Sequence, residues 1–409
     1  MTRPAPCIAC AGAPASHLSL WLGTVADGAT LRLPLYALPF YRPLMRLAEA
    51  IVNAMGEFFY VIGRTLHFVS LSSDTGSAVS TRSRLLWEEA IRRGISMQQV
   101  FLFGLPTDIF RVRYGTAHDS FRSLPLMPEA SALRMDDKVL FKRTMEAVGV
   151  PVPRSFGVSR RSQASGALQA VGTACVKPRT GSNARHTYPN VRTEAELDEA
   201  FDGVKQISAF VTVEEYLEGN LCRATCVDGT LIGFLESAYP NVTGDGVSTI
   251  EELVAKANET RLEGIDPIEF DAITEGFIAR RGYARDSVLP EGATLALSYR
   301  GGTSVGGSNR EHGRNIHPSF IPIIEKAAQN TGLHIVGFDI IIPDPMQPQD
   351  TQRWGFIEAN SLPWIDLHAH PYYGEPIDVS SAVWDLWLSR TAASHATEPS
   401  SSAAPSRTR

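Results

Sequence analysis

The run Gly337-Phe338-Asp339-Ile340-Ile341-Ile342 reads as an apolar strand interrupted by a single acid. An ionised carboxylate buried there without a partner would cost several kcal/mol, so a cation is expected beside it. A little further on, Phe356, Glu358 and Asn360 alternate with Ile357 and Ala359, and the two-residue period of a strand puts the Glu and Asn side chains on one face. Asp, Glu and Asn form a hard, all-oxygen ligand set. That set suits Mg²⁺ held partly by substrate phosphates better than it suits zinc.

Working back along the chain, the same patterning predicts the elements that deliver these strands. Residues 29–130 carry mixed signals: a helical pattern at Leu44, Leu47, Ala48 and Ile51, a strand-like run Phe58 to Ile62, and a helix around Leu85 to Ile91 closed by Gly94. Asp136 or Asp137 caps a helix with Phe141, Met145 and Val148 on its apolar face. Ala174 to Lys177 is a short strand running into the loop Arg179 to His186. Thr193 and Glu196 form a capping box, and Ser248 with Glu251 a second. Asp228-Gly229, between Cys222–Val227 and Thr230–Leu235, is a hairpin signal. Pro318 opens a helix to Gly332, and a final helix over about 380–392 closes the fold with Val383, Trp384, Trp387 and Leu388.

Composition narrows the class. At 409 residues, 44% hydrophobic and 20% charged with net charge -6, the chain reads as a soluble globular protein of two or three domains or lobes. No basic stripe invites nucleic acid, and no apolar run approaches the roughly 18 residues of a membrane span. Cys7 and Cys10 make a lone C-x-x-C read as having no second pair or nearby His, which is weak ground for zinc, and five scattered cysteines fit a reducing cytoplasm. Residues 1–28 and 393–409 are biased toward Ala, Pro and Ser and read as disordered ends.

Candidate chemistry follows from position. Lys138 lies at a helix start, where backbone N–H groups already favour anions. Lys177 ends a strand beside Thr180, Gly181, Ser182 and Asn183, a loop able to wrap phosphate. Taken singly, either lysine reads more readily as a solvated surface charge than as a phosphate ligand.

The ordered strings DDK (Asp136 to Lys138), GVPVP (Gly149 to Pro153), VKP (Val176 to Pro178), VEEYLEG (Val213 to Gly219), GFD (Gly337 to Asp339) and IEAN (Ile357 to Asn360) resemble the ATP-grasp superfamily over about residues 131–392. Within it, YPNVTGDGVSTIEEL (Tyr239 to Leu253), GGTSVGG (Gly301 to Gly307), HP (His317, Pro318) and HAHPYYG (His368 to Gly374) are most similar to the ATP-grasp part of cyanophycin synthetase and related amino-acid ligases. The resemblance implies an α/β fold with α+β lobes: an ATP-grasp domain over 131–392, with a small lid lobe at about 173–217, after a small α/β domain over 29–130. It implies ATP and two Mg²⁺ ions. Lys138, Lys177 and Ser182 would meet phosphates, Glu214 the adenine amino group, and the backbone of Glu215, Tyr216 and Leu217 the adenine edge. Asp339, Glu358 and Asn360 would hold metal, Arg300 and Arg310 the oxyanion, and His368 and His370 would face substrate.

The implied activity is amide formation between amino acids or a short peptide through an acyl phosphate. The alternatives are a glutathione-type or other carboxylate ligase with a different acceptor, and a non-catalytic ATP-binding regulatory module. Small-molecule amino acids or short peptides are the expected partners, a homodimer is compatible, and the cytoplasm is the expected setting. Several positions depart from the family pattern. Ala184 and His186 stand where glycine is expected, and Leu221 where an acid meets the ribose. Glu236 replaces a common base and Glu311 an Asp, which points to a cationic amino partner. The chain does not include the large Mur-ligase-like domain of cyanophycin synthetase, so a two-step polymer builder is not expected.

Overall fold

The computed structural model describes residues 7–10, 16–32, 58, 60–126, 132–181, 184–261 and 265–396. The chain divides into two units, Met1–Glu49 with Pro128–Ile377, and Ala50–Met127 with Asp378–Arg409.

The larger unit holds two large antiparallel sheets, beside a two-stranded pair of Asn241–Thr243 with Thr294–Ala296. The smaller, in spatial order β1-β4-β2-β3, comprises β1 (Ser155–Val158), β2 (Ala174–Pro178), β3 (Tyr188–Val191) and β4 (Val211–Glu215). It packs with helices Arg161–Val171 and Glu194–Lys205 around Val176, Leu197, Phe201 and Val213. The second sheet runs β7-β6-β5-β8-β9, from β5 (Asn220–Val227), β6 (Thr230–Ser237), β7 (Asn309–Glu311), β8 (Ile335–Ile342) and β9 (Gly355–Asn360). Helices Lys138–Ala147 and Ile321–Gln329 cover one face, burying Phe141, Met145, Ile324, Phe338 and Phe356.

Local sequence explains most boundaries. Asp137 caps its helix, its Oδ1 accepting from Val139 and Leu140 N at 3.0 and 2.9 Å. Thr193 and Glu196 form the expected capping box. The β5–β6 turn takes Asp228 and Gly229 into the left-handed region, at φ 47° and 79°, the conformation a two-residue type I′ hairpin needs.

Other boundaries shift. The second capping box is Thr249 with Glu252, one residue later than expected, because Asp245 already engages Ser248 through its N and Oγ, both at 2.7 Å. The helix expected from Pro318 begins at Ile321, with Pro322 in its first turn. The expected disordered leader contains a helix, His17–Arg32; the helical pattern at Leu44 to Ile51 lies outside the described residues, as does the tail from 397.

The smaller unit is an antiparallel meander of strands Val69–Ser72, Ser96–Leu102, Leu105–Tyr114 and Ala117–Arg122. Residues 60–65 are helical, where a strand was expected from Phe58 to Ile62. The final helix, Val379–Ala396, belongs to this unit and not to the 131–392 domain: Trp384 Nε1 donates to Leu86 O at 2.9 Å, and Trp387 Nε1 to Asp119 Oδ2 at 3.0 Å. The C-terminal end of the chain thus completes the N-terminal domain's core, a non-local pairing that no local pattern announces.

Phe338 is fully buried against Phe141 and Phe356, with ring centroids at 5.9 and 5.2 Å. Phe338→Ala is expected to cost about 3–5 kcal/mol, transfer and cavity terms together, read as a lowered urea midpoint.

Candidate active site

Strand alternation sorts the side chains of the small sheet. Ala174, Val176, Val211 and Val213 enter its core, which turns Cys175, Lys177 and Glu214 to the opposite face. There they line a cleft of ≈ 2380 Å³ within the larger unit. On β8, Val336, Phe338, Ile340 and Ile342 enter the core, while Asp339 and Ile341 line the cleft.

On β9, alternation alone would put Glu358 on the same face as the buried Phe356. The register instead slips between Asp339 and Ile340, pairing Asp339 with Glu358 and Ile340 with Phe356, so Ile357 is an extra residue. That β-bulge re-aims Glu358 and Asn360 into the cleft while Phe356 stays in the core. The expectation that Glu358 and Asn360 share a face holds, and the bulge supplies its cause.

The carboxylates meet cations. Arg223 on β5, Asp339 on β8 and Glu358 on β9 are successive cross-strand neighbours. Arg223 Nε lies 2.6 Å from Asp339 Oδ1, and Lys138 Nζ lies 2.9 Å from Glu358 Oε2 and donates to Gly181 O at 2.7 Å. Gly337 leaves room for this row, since a Cβ there would meet Pro363 Cβ at 2.7 Å and Arg223 at 3.1 Å. Opposite, the Glu214 carboxylate is shared by Lys142 and Lys177, each at 2.6 Å. Asp136 ties the Lys138 helix to the end of β9, accepting from Ser361 N and Oγ at 2.8 and 2.7 Å.

Electrostatics follow from burial. Burial pushes the Asp339 carboxyl up to about 7, with Glu358 adding to the shift and Arg223 opposing it. For Glu358 burial works the same way, but Lys138 and its hydrogen bond with Asp339 outweigh it and hold the acid well below the usual range. Burial pushes Lys142 down to about 8 despite Glu214. Burial acts to lower Lys177 too, yet Glu214 outweighs it and the ammonium is held up.

The remaining expected residues divide. Glu215, Tyr216 and Leu217 line the cleft; the Glu215 carboxylate pairs with Arg353 at 2.7 Å, and Tyr216 N donates to Thr173 O at 2.9 Å. Glu214 is committed to two lysines instead of to an adenine amino group. Ser182 lies outside the described residues. Arg300 lines the cleft and donates to Asp271 Oδ2 at 2.7 Å, whereas Arg310 is exposed, sits over the Tyr373 ring at 5.0 Å and does not line the cleft.

His368 does not face substrate: it is fully buried, with Nε2 2.7 Å from Thr225 Oγ1 and Nδ1 2.6 Å from Glu311 Oε2. His370 is exposed and outside the cleft lining. Glu311 is thereby a structural acid, and Glu236 is satisfied by His312 and Asn220 at 2.8 and 2.7 Å. Neither bears out the expected acidic contact with a cationic substrate. Sequence reasoning missed Lys142 and Arg223. Lys142 stands one helical turn from Lys138, and Arg223 sits inside an otherwise uncharged strand, the same anomaly that singled out Asp339.

No family model matches the sequence. The cyanophycin synthetase of Trichormus variabilis is 30% identical over 310 residues, covering 73% of this chain and 34% of the relative. The glutathione biosynthesis bifunctional protein GshAB of Mannheimia succiniciproducens is 27% identical over 332 residues, covering 75% of this chain and 42% of the relative. The chain thus spans between a third and a half of the length of these curated relatives. Among solved structures, a bifunctional glutathione synthetase from Pasteurella multocida superposes with a TM-score of 0.52 at 22% identity, over 77% of this chain and 45% of the other. That likeness is one of fold.

Two outcomes test the charge row. Glu214→Gln leaves Lys142 and Lys177 buried against a neutral amide and is expected to destabilise the protein by about 3–5 kcal/mol in urea unfolding. For Asp339, an unfolded acid titrates near ~3.9, so between there and about 7 the folded state holds a proton that the unfolded state has lost. In magnesium-free buffer, stability is therefore expected to fall as pH rises through that window. Asp339→Asn lacks this titration and loses less; parallel pH profiles for the two proteins would show that Asp339 ionises normally.

Proposed function

We propose that this chain, an ATP-grasp protein by its fold, is a ligase that joins a carboxylate to an amine through an acyl phosphate, releasing ADP and phosphate. The observation that carries the reading is the convergence of Lys138, Lys177 and Arg223 with Asp339, Glu358 and Asn360 on one cleft. The cations suit a polyphosphate, and the all-oxygen set interleaved with them suits a hard metal ion.

The acidic residues fit magnesium on their own geometry. Two buried carboxylates stand adjacent across a strand pair, where burial and Glu358 drive Asp339 toward its neutral form, and a divalent cation would let it ionise. Asp339, Glu358 and Asn360 would hold two Mg²⁺ ions, which supply neutralisation of charge on the β- and γ-phosphates.

The chain's own residues do the rest by placement. Lys138 and Lys177 are fixed by Glu358 and Glu214, so their ammonium groups meet the nucleotide already oriented. The segment Glu215 to Leu217 edges the cleft beside them and takes the adenine. A substrate carboxylate oxygen attacks the terminal phosphorus as the bond to the ADP oxygen breaks. The amine then adds to the acyl carbon, phosphate leaves, and the nitrogen gives up its proton. Arg300, oriented by Asp271, is the cation in the cleft nearest this reading's oxyanion role; Arg310, His368 and His370 take no part. The substrates are amino acids or a short peptide, by analogy with the relatives' names.

With ATP, Mg²⁺ and a panel of amino acids and dipeptides, the protein is expected to release ADP and phosphate only with a productive pair, the amide being identified by mass spectrometry. Asp339→Asn is expected to lower turnover on the order of 10²-fold or more without changing the circular dichroism spectrum. Release of AMP and pyrophosphate would overturn the acyl-phosphate route.

A further inference from the structure

Outside the charge row, four potential metal ligands converge where the N-terminal segment meets the loop between β2 and β3. The turn Ile8–Cys10, closed by Cys10 N donating to Cys7 O at 3.1 Å, turns both thiols toward one point. His17, the first residue of the helix His17–Arg32, brings Nε2 to 3.2 Å from Cys10 Sγ. His186 Nε2 lies 3.6 Å from Cys7 Sγ and 3.5 Å from Cys10 Sγ. One ligand atom from each of the four residues lies within 4.8 Å of all the others.

We propose that Cys7, Cys10, His17 and His186 form a structural zinc site that clips the N-terminal segment onto the phosphate-loop region. Three observations carry it. A tetrahedral zinc with bonds of about 2.3 Å to sulfur and about 2.0–2.1 Å to nitrogen sets sulfur-to-nitrogen edges near 3.5 Å, and the distances found here are 3.2, 3.5 and 3.6 Å. The tautomer is also fixed. His186 Nδ1 lies 2.6 Å from Gly203 O, an atom that only accepts, so Nδ1 carries the proton and the Nε2 lone pair faces the sulfurs.

Pairwise hydrogen bonds, Cys10 with His17 at 3.2 Å and Cys7 with His186 at 3.6 Å, need no common centre, yet all four ligand atoms converge within 4.8 Å of one another at a site where Cys10 and His186 are 3% and 1% exposed. The S₂N₂ set selects zinc over magnesium or calcium. On binding, the two thiols give up their protons to solvent and the imidazoles bind neutral.

The segments already touch without metal: His186 N donates to Ala9 O at 2.7 Å, and Ala209 N to Thr24 Oγ1 at 2.9 Å. The reading of Cys7 and Cys10 as weak ground for zinc overlooked His17, seven residues after Cys10, and local sequence does not announce His186, 176 residues beyond it. The site stands whether or not the ligase reading does.

The test is metal content of the full chain, purified under reducing conditions from zinc-supplemented growth and passed through gel filtration. A single zinc per chain is expected by elemental analysis, lost in Cys10→Ser and His186→Gln and kept in Cys175→Ser. Cobalt(II) reconstitution of the unaltered protein reads the site without any variant, and is expected to give tetrahedral ligand-field bands with thiolate-to-cobalt charge transfer. Absence of zinc together with an octahedral cobalt spectrum would overturn the proposal, as would zinc retained by both ligand variants, or a Cys7–Cys10 disulfide as the native state of the pair.

Discussion

The cleft of the larger unit is organised by a problem of charge burial. Four cations, Lys138, Lys142, Lys177 and Arg223, face three carboxylates, Glu214, Asp339 and Glu358, all withdrawn from water. Each charge alone would be ruinously desolvated. Together they leave a positive surplus, and one carboxyl, Asp339, is driven toward neutrality. An arrangement like this is poorly explained as a stability device, since well-packed apolar residues serve that end as well or better. It is well explained as a receptacle for a larger charge still to arrive. A polyphosphate would satisfy the surplus, and a divalent cation would let Asp339 ionise.

The fold's local features were legible because local physics decides them. Asp137 caps a helix, Thr193 and Glu196 box one, and Asp228-Gly229 turns a hairpin, each through interactions spanning a few residues. Asp339 was legible for the opposite reason: it violates the pattern around it. What sequence could not give is what depends on pairing at a distance. The bulge at Ile357 exists only relative to the register with β8. The burial of His368 depends on Glu311 and Thr225 from two other strands, and on a glycine, Gly233, whose Cβ would meet the ring at 2.5 Å. The last helix packs with the smaller unit's core, a destination no local pattern could give, because a helix's local pattern carries no record of which sheet it covers.

Ala184 and His186 show where a departure from a family pattern becomes informative. Both occupy left-handed backbone, at φ 51° and 48°, so the chain has kept a glycine-like path through this loop without the glycines. For L residues that conformation costs roughly 1–2 kcal/mol each. At His186 glycine would lower the strain, so the imidazole must return more than it costs. Its packing gives part of the answer, through Gly203 O and the T-shaped contact with His17 at 5.2 Å between centroids.

The hydrogen bond to Gly203 O alone would be served by any buried donor. The lone pair on Nε2, aimed at two thiols with the His17 ring nitrogen 3.2 Å from one of them, is what a shared metal would use. A structural zinc returns about 10 kcal/mol or more at neutral pH, an order of magnitude above the backbone strain. On the proposed zinc site, that balance would outweigh the backbone strain carried at position 186.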